Sequence, residues 1–135
     1  MASRRASSSL AVAARTDLSQ QAIEVLRSVA RQAGTAIPVA DVARAAHMDV
    51  GAVSRQLRVL EDRRLVTRRP NPAHRSVVLV SLTRRGAEVI GRVEAVRDRH
   101  LADALAAWSS TERGELGRLL NRLVADLQAT TFREA

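Results

Sequence analysis

The chain has 135 residues, of which 22 are basic and 14 acidic, and its formal net charge is +8. A chain of this length forms one ordinary domain and is stable without metal or disulfide support. It contains no cysteine, which excludes disulfides and zinc–thiolate sites and favours a cytoplasmic location. The positive charge indicates an anionic partner, and no apolar run approaches the roughly 20 residues that span a bilayer. We therefore expect no membrane association.

The N-terminal segment has little capacity to fold alone. Residues 1–9 are small and polar apart from two arginines, so we expect them to be frayed. Residues 10–15 can form one or two helical turns, but a helix this short needs a partner helix to be stable. Leu10 and Val12 are its candidate dimerisation residues.

The first clear helical pattern starts at Ser19, a good N-cap residue. Ile23, Leu26 and Ala30 recur on one helical face, and we expect Gly34 to end the helix. Ile37 then predicts a short strand.

Two short helices follow, separated by a tight turn, at about residues 38 to 63. Pro38 suits a helix start, and the apolar residues after it line one side of a short helix. Asp49 is the N-cap candidate of the next helix, in which Val53, Leu57 and Leu60 recur at helical intervals. This pattern predicts a helix-turn-helix, whose second helix enters the major groove of DNA.

The opposite face of that second helix carries small residues first and long basic residues beyond them. Small residues permit close approach to DNA, and arginines reach guanine edges or phosphates. A solvated basic face is the alternative interpretation, and the position of the arginines on a reading helix favours DNA contact. The candidate DNA-binding residues here are Gly51, Ala52, Ser54, Arg55 and Arg58.

A β-hairpin is predicted next. The sequence Pro70-Asn71-Pro72 is a turn signal, and alternating apolar residues from Val77 to Leu82 indicate a strand. Arginines are concentrated along this segment, and phosphate contacts position a protein on DNA whereas base contacts specify the sequence. The candidate wing and phosphate-binding residues are Arg68, Arg69, Asn71, His74 and Arg75.

Two further helices complete the pattern. Thr83 can cap a long helix that we expect to reach about Trp108, and Ser109 with Glu112 forms a candidate capping box for the last helix. The last helix has a broad apolar face, for which a second copy of the chain is the most economical partner. We therefore predict a symmetric homodimer, with dimerisation residues Leu116, Leu119, Leu120, Leu123 and Leu127.

At about residues 18 to 127 the chain resembles the MarR family of bacterial winged-helix regulators. Three segments carry the resemblance: Leu60 to Val66 resembles the exit of the recognition helix, Arg69 to Arg75 the wing, and Val80 to Gly86 the start of the following helix. The resemblance implies an obligate dimer that binds a pseudo-palindromic operator, usually as a repressor released by a small-molecule effector. It also implies that the wing arginine, which matches Arg75, reaches the minor groove.

Three departures from the family pattern stand out. His74 occupies the position before the wing arginine where an acidic residue is usual, so we expect weaker or pH-sensitive support of the wing. Arg64 replaces the usual glycine between Arg63 and Leu65, so the helix is expected to end without an easy left-handed residue. The segment before Ser19 is shorter than the family's usual first helix, which leaves its part in the dimer open.

Catalytic and metal-binding functions find no support in the sequence. His47, His74 and His100 have no ligand spacing, and no nucleophile lies beside a base. We therefore expect no enzyme activity, no metal and no cofactor. Two alternatives to an operator-specific regulator remain: a basic protein that coats DNA regardless of sequence, and a ligand-binding or partner-binding dimer that does not read DNA.

The predicted fold class is mainly α with a small β-hairpin wing, a winged helix-turn-helix with terminal dimerisation helices. We divide the chain into a flexible N-terminus and short dimerisation helix (1–18), a DNA-binding region (19–83), and a long helix with a C-terminal dimerisation helix (84–135).

Overall fold

A computed structural model describes residues 10–32 and 34–130. The labelled elements are, in chain order, α1 (Gln20–Ala30), β1 (Ile37–Pro38), α2 (Val39–Ala46), α3 (Val50–Asp62), β2 (Val66–Pro70), β3 (Val78–Leu82), α4 (Arg84–Ala104) and α5 (Ser110–Ala129). The predicted fold class is confirmed: the chain is mainly helical, with one small antiparallel sheet. Residues 1–9, which we expected to be frayed, lie outside the described residues.

The chain divides into two compact units between Asp98 and Arg99. The first unit holds the helix-turn-helix, the sheet and one continuous apolar core. The apolar faces predicted for α1, α2 and α3 all contribute fully buried side chains to this core, including Leu26, Val42, Val53, Leu57 and Leu60.

The N-terminal part of the first unit is helical at residues 10–13, as the sequence predicts. Ala14 and Leu18 are buried in the core that follows, and the guanidinium of Arg92 donates a hydrogen bond to the carbonyl of Ala14 at 3.3 Å. Leu10 is half-buried, whereas the Val12 side chain is 74% exposed. The segment is therefore attached to the core mainly by Ala14 and Leu18, and Leu10 also packs against the core.

Helix α1 begins as predicted but ends earlier. The Ser19 hydroxyl accepts a hydrogen bond from the backbone N–H of Ala22, which confirms the N-cap. The prediction that Gly34 ends the helix is wrong, because α1 ends at Ala30 and Arg31 is its C-cap in right-handed helical conformation. Gly34 instead lies in the turn before β1 with a φ of +94°, a conformation that glycine adopts without steric cost.

The helix-turn-helix is confirmed. His47 ends α2 in left-handed conformation with a φ of 51°, and the N–H of Met48 donates to the carbonyl of Ala43 at 3.0 Å. Asp49 lies two residues after His47, and its carboxylate accepts a hydrogen bond from the N–H of Ala52 at 2.8 Å and so caps α3. The turn between α2 and α3 is therefore fixed at both sides.

The three strands form one antiparallel sheet in the order β1-β3-β2. Ile37 pairs with Val80, and Val80 also pairs with Arg68 on its other side. The strand and hairpin predictions are both confirmed, and the buried side chain of Val80 joins the sheet to the core.

Helix α4 begins where the sequence predicts and ends four residues earlier. The Thr83 hydroxyl accepts a hydrogen bond from the N–H of Gly86, which confirms the cap. The predicted end near Trp108 is wrong, since α4 ends at Ala104. Bonds between residues three apart, such as Trp108 N–H to the carbonyl of Leu105 at 3.0 Å, replace helical bonds there and form tight turns.

Helix α5 belongs to the second unit and starts with the predicted capping box. The N–H of Glu112 donates to the Ser109 hydroxyl, and the N–H of Ser109 donates to the Glu112 carboxylate at 2.7 Å. Among the described residues, α5 contributes no buried side chain. Its predicted apolar face is therefore present and uncovered in the single chain.

Candidate nucleic-acid interface

The recognition helix α3 turns a small and basic surface away from its buried stripe. Gly51, Arg55 and Arg58 are exposed, and Ala52 and Ser54 are half-buried. All five candidate residues of this helix therefore lie outside the core. The surface begins with small residues at the helix N-terminus and continues with long cations, a composition that suits contact with base edges and phosphates.

One exposed apolar residue at the start of α3 was missed by the sequence interpretation. Val50, the first residue of α3, is 51% exposed. It precedes Val53 by three residues and so continues the spacing of the stripe formed by Val53, Leu57 and Leu60, which is why periodicity gave no signal of its exposure. An exposed apolar side chain at this end of a recognition helix is suited to contact a thymine methyl group.

The root of the wing is tied to the recognition helix by a charged pair. Arg68 on β2 donates from Nε and Nη2 to Oε2 of Glu61 on α3, at 2.8 and 2.5 Å. The two side chains are 27% and 38% exposed, so solvent weakens the pair only in part. Arg68 was predicted to bind phosphate, and its guanidinium is already engaged in fixing the wing to α3.

The tip of the wing is ordered by its backbone and by one amide. The Asn71 side chain accepts a hydrogen bond from the N–H of Ala73 at 2.9 Å, and the Asn71 N–H donates to the carbonyl of Val77 at 2.7 Å. These bonds give Asn71 the role of shaping the turn. Besides Arg68, the hairpin carries three cationic or imidazole side chains, and these are exposed: Arg69, His74 and Arg75.

No hydrogen bond or ion pair holds the side chains of His74 and Arg75 within residues 10–32 and 34–130. The structure thus leaves the Arg75 guanidinium available for an external anion. The presence of His74 in place of the usual acidic residue predicts weaker or pH-sensitive support of the wing. No hydrogen bond between His74 and Arg75 is seen in the free chain, so this support stays a prediction for the complex with DNA.

The exit of the recognition helix is held by Thr83. The Thr83 hydroxyl donates to the carbonyls of Arg64 at 2.7 Å and Leu65 at 3.0 Å. Arg64 itself adopts the left-handed conformation with a φ of 59°, so the helix ends on a left-handed residue although no glycine, for which this conformation is easy, is present. Arginine occupies the left-handed position in which glycine has no steric cost.

Gly86 lets α4 approach this exit closely. A Cβ atom at Gly86 would lie 2.0 Å from the Leu65 carbonyl oxygen and 2.8 Å from the Leu82 side chain. The sequence interpretation named Gly86 as the end of the segment from Val80 that resembles the start of this helix, and gave it no special role. Any larger residue there would push α4 away from the end of the recognition helix.

A metal centre and a membrane span are both absent from the described part of the chain. No group of three or more His, Asp or Glu residues there could hold a metal ion. No helix among these residues combines the length and apolar character needed to cross a membrane.

Comparison with known proteins agrees with this geometry. Residues 12–75 match the model of the MarR family, a range that includes α1, the helix-turn-helix and the wing up to Arg75. The chain is 32% identical over 108 residues to the uncharacterised HTH-type transcriptional regulator YdgJ of Bacillus subtilis (strain 168), covering 80% of this chain and 65% of that protein. The chain thus spans slightly less than two thirds of that relative.

Solved structures share the fold. A crystal structure of MarR superposes with a TM-score of 0.78 at 23% identity, covering 95% of this chain and 84% of that one. A structure of Bordetella bronchiseptica BpsR, whose DNA binding is regulated by 6-hydroxynicotinic acid, superposes with a TM-score of 0.62 at 25% identity, covering 79% and 80%.

Proposed function

We propose that the chain is a member of the MarR family and that it is a sequence-specific DNA-binding transcriptional regulator, which acts as a homodimer on a pseudo-palindromic operator. The function is binding, with no catalytic step. A bacterial operator as target implies action in the cytoplasm.

One observation carries the proposal: exposed arginines of the recognition helix and of the wing are presented by one compact unit. Arg55 and Arg58 extend from α3, and Arg69 and Arg75 extend from the hairpin, all four exposed. The Glu61–Arg68 pair connects the two elements. A rigid helix with a braced hairpin fits a major groove and the minor groove beside it, which a loose collection of charges would not.

A second copy of the chain is the proposed partner of α5. The side chains of Leu119, Leu120, Leu123 and Leu127 on this helix are 47% to 64% exposed in the single chain. An uncovered leucine face of this kind marks an interface, and a two-fold symmetric dimer covers the same face on both copies. Leu10 and Val12 stay additional dimerisation candidates.

Repression and its release by a small-molecule effector are the form of regulation that the family implies. BpsR supports this part of the proposal, since its DNA binding responds to a small aromatic acid. The effector of this chain is proposed only as a class, a small molecule that changes operator affinity.

A competition experiment tests the proposal. Labelled DNA from the gene's own promoter neighbourhood is challenged with random duplex at several salt concentrations. A specific regulator keeps a preference of at least about 1,000-fold for its operator at physiological salt. A DNA-coating protein binds both duplexes alike, because counterion release supplies its affinity. A dimer that does not read DNA binds neither.

Arg75→Ala sharpens the test. We expect operator affinity to fall by about 1–3 kcal/mol, the value of a lost good contact. Arg84→Ala is the matched control, since Arg84 is also an exposed arginine but pairs with Glu88 at 3.2 Å. Equal affinity of the wild type and Arg75→Ala at matched salt would remove Arg75 from the interface.

A further inference from the structure

A cavity of about 280 Å³ lies beside the exit of the recognition helix, entirely within the first unit. The cavity is open to solvent, and three segments line it: residues 15–18, residues 62–65 and the first turns of α4. Its charged lining is five arginines and two aspartates: Arg15, Arg63, Arg64, Arg85, Arg92, Asp17 and Asp62. The cavity therefore has a clear excess of positive charge.

Two of these arginines have an unusual backbone. Arg15 and Arg64 have φ values of 52° and 59°, and His47 is the only other non-glycine residue with a positive φ in the described chain. Each arginine follows the end of a helical segment, where the next N–H bonds back across the turn: Thr16 to Ala11 and Leu65 to Leu60, both at 2.9 Å. Glycine is the usual residue at such a position.

The choice of arginine at both positions has a steric cost, because a Cβ atom crowds the neighbouring carbonyl in left-handed conformation. The need to end a helix explains the left-handed backbone at both positions, but glycine would meet that need without the steric cost. What arginine adds is a guanidinium, and both guanidinium-bearing residues line the same cavity. Non-glycine residues kept in this conformation concentrate at ligand-binding sites.

Hydrogen bonds and ion pairs within the described residues engage only some of the arginines that line the cavity. Arg63 donates to the carboxylate of Asp17, and this hydrogen bond holds the pKa of Asp17 below its ordinary value. Arg92 donates to the Ala14 carbonyl. No side-chain hydrogen bond or ion pair engages Arg15, Arg64 or Arg85 within the described ranges.

We propose that this cavity is a binding site for a small oxyanion that carries more than one negative charge, such as a phosphate compound or a polycarboxylate. Several guanidinium groups around one cavity can donate to different charged oxygen atoms of the same anion. Each of these hydrogen bonds is charge-assisted. A bound anion bridges the N-terminal segment, the exit of α3 and α4.

DNA is not the occupant. The recognition helix is proposed to read bases with its N-terminal residues, and Gly51 is separated from Arg63 by about 18 Å of helix. Anion binding at the far end of α3 can therefore be measured without DNA, and its success or failure does not depend on operator recognition.

Calorimetric titration of the full chain tests the site, with sodium pyrophosphate and sodium citrate as probes at constant ionic strength. Sodium acetate serves as the singly charged control. We expect saturable binding of at least one multivalent probe and none of acetate, and the tighter probe identifies the source as phosphate or polycarboxylate. Absence of saturation with both multivalent probes would overturn the proposal.

Two variants separate the site from general charge attraction. Arg64→Gly removes a guanidinium and relieves the left-handed strain, so its unfolding temperature should equal or exceed that of the wild type while the probe's dissociation constant rises about tenfold. Arg85→Gln should weaken probe binding to a similar extent.

Arg99→Gln is the matched control, because Arg99 is an exposed arginine on the same helix as Arg85 but does not line the cavity. It should leave the dissociation constant unchanged. Equal weakening in Arg85→Gln and Arg99→Gln, or none in Arg64→Gly, would contradict the site.

Discussion

The stripes of α3 and α5 are alike in sequence and opposite in burial. Val53, Leu57 and Leu60, the stripe residues of α3, have no exposed surface, whereas Leu120 and Leu123 of α5 are 51% and 54% exposed. Both helices follow the same apolar periodicity, and both carry a side-chain N-cap. Periodicity therefore tells which face of a helix is apolar, but not whether its own chain or another one covers it.

The largest expected effect is a loss of folding stability in the first unit, which contains the apolar core. Gly86→Ala places a Cβ atom against the Leu65 carbonyl, and we expect the free energy of unfolding to fall by about 3 kcal/mol. Gly91→Ala on the same helix is the control, since its Cβ meets nothing within 4 Å and it should stabilise the chain by about 1 kcal/mol. Chemical denaturation measures both.

Equal small effects of Gly86→Ala and Gly91→Ala would mean that α4 is not held against the exit of the recognition helix.

The next largest effect concerns dimerisation through the exposed apolar face of α5. Leu120→Glu puts a charge into the proposed dimer interface, and we expect the dissociation constant of the dimer to rise at least about 100-fold. Ala125→Glu adds the same charge on the other side of α5 and should leave the dimer intact. Sedimentation equilibrium distinguishes the two, and an undisturbed Leu120→Glu dimer would remove α5 from the interface.

A smaller effect tests the joint between recognition helix and wing. Glu61→Ala frees Arg68, and we expect operator affinity to fall by about 1 kcal/mol because the wing loses a half-buried charged partner. Glu61 reaches no DNA in this interpretation, so the loss should depend on Arg68. A double-mutant cycle with Arg68→Ala measures that dependence, and additive losses would show that the pair does not position the wing.

The smallest effect concerns the start of α5. The Ser109 N–H donates to Glu112 and holds the pKa of this carboxyl below its ordinary value of 4.5. A depressed pKa in the folded state stabilises the fold above the unfolded-state pKa, and the contribution is lost as the pH falls through the folded-state value. The unfolding midpoints of the wild type and Glu112→Gln should therefore differ at neutral pH and converge in acid.

Glu115→Gln is the control on the same helix, because Glu115 takes no part in the capping box. A difference between the wild type and Glu112→Gln that persists unchanged in acid would contradict the role of the carboxylate.

Local chemistry explains which features the sequence could predict. An N-cap is a local interaction, in which a side chain accepts a hydrogen bond from the backbone N–H three residues ahead. Caps could therefore be predicted from the sequence, and the structure shows this bond at all four predicted positions: Ser19, Asp49, Thr83 and Ser109. The end of α1 was misplaced because Gly34 suits several kinds of turn, and nothing local distinguishes a C-cap from a loop glycine.

Contacts between elements explain what the sequence could not predict. The Glu61–Arg68 pair joins a helix to a strand, and its geometry depends on how the hairpin folds back. The hydrogen bonds of Thr83 to residues 64 and 65 span 18 to 19 positions. The anion cavity needs three segments at once, so its arginines looked like ordinary surface charges in the sequence.

Hydroxyl-radical footprinting on the gene's own promoter tests sequence-specific reading by a dimer most directly. We expect two protected half-sites related by two-fold symmetry, one helical turn or a multiple of it apart, with protection of the flanking minor groove lost in Arg75→Ala. Uniform protection along the fragment, or protection that moves freely between unrelated sequences, would contradict the proposed function.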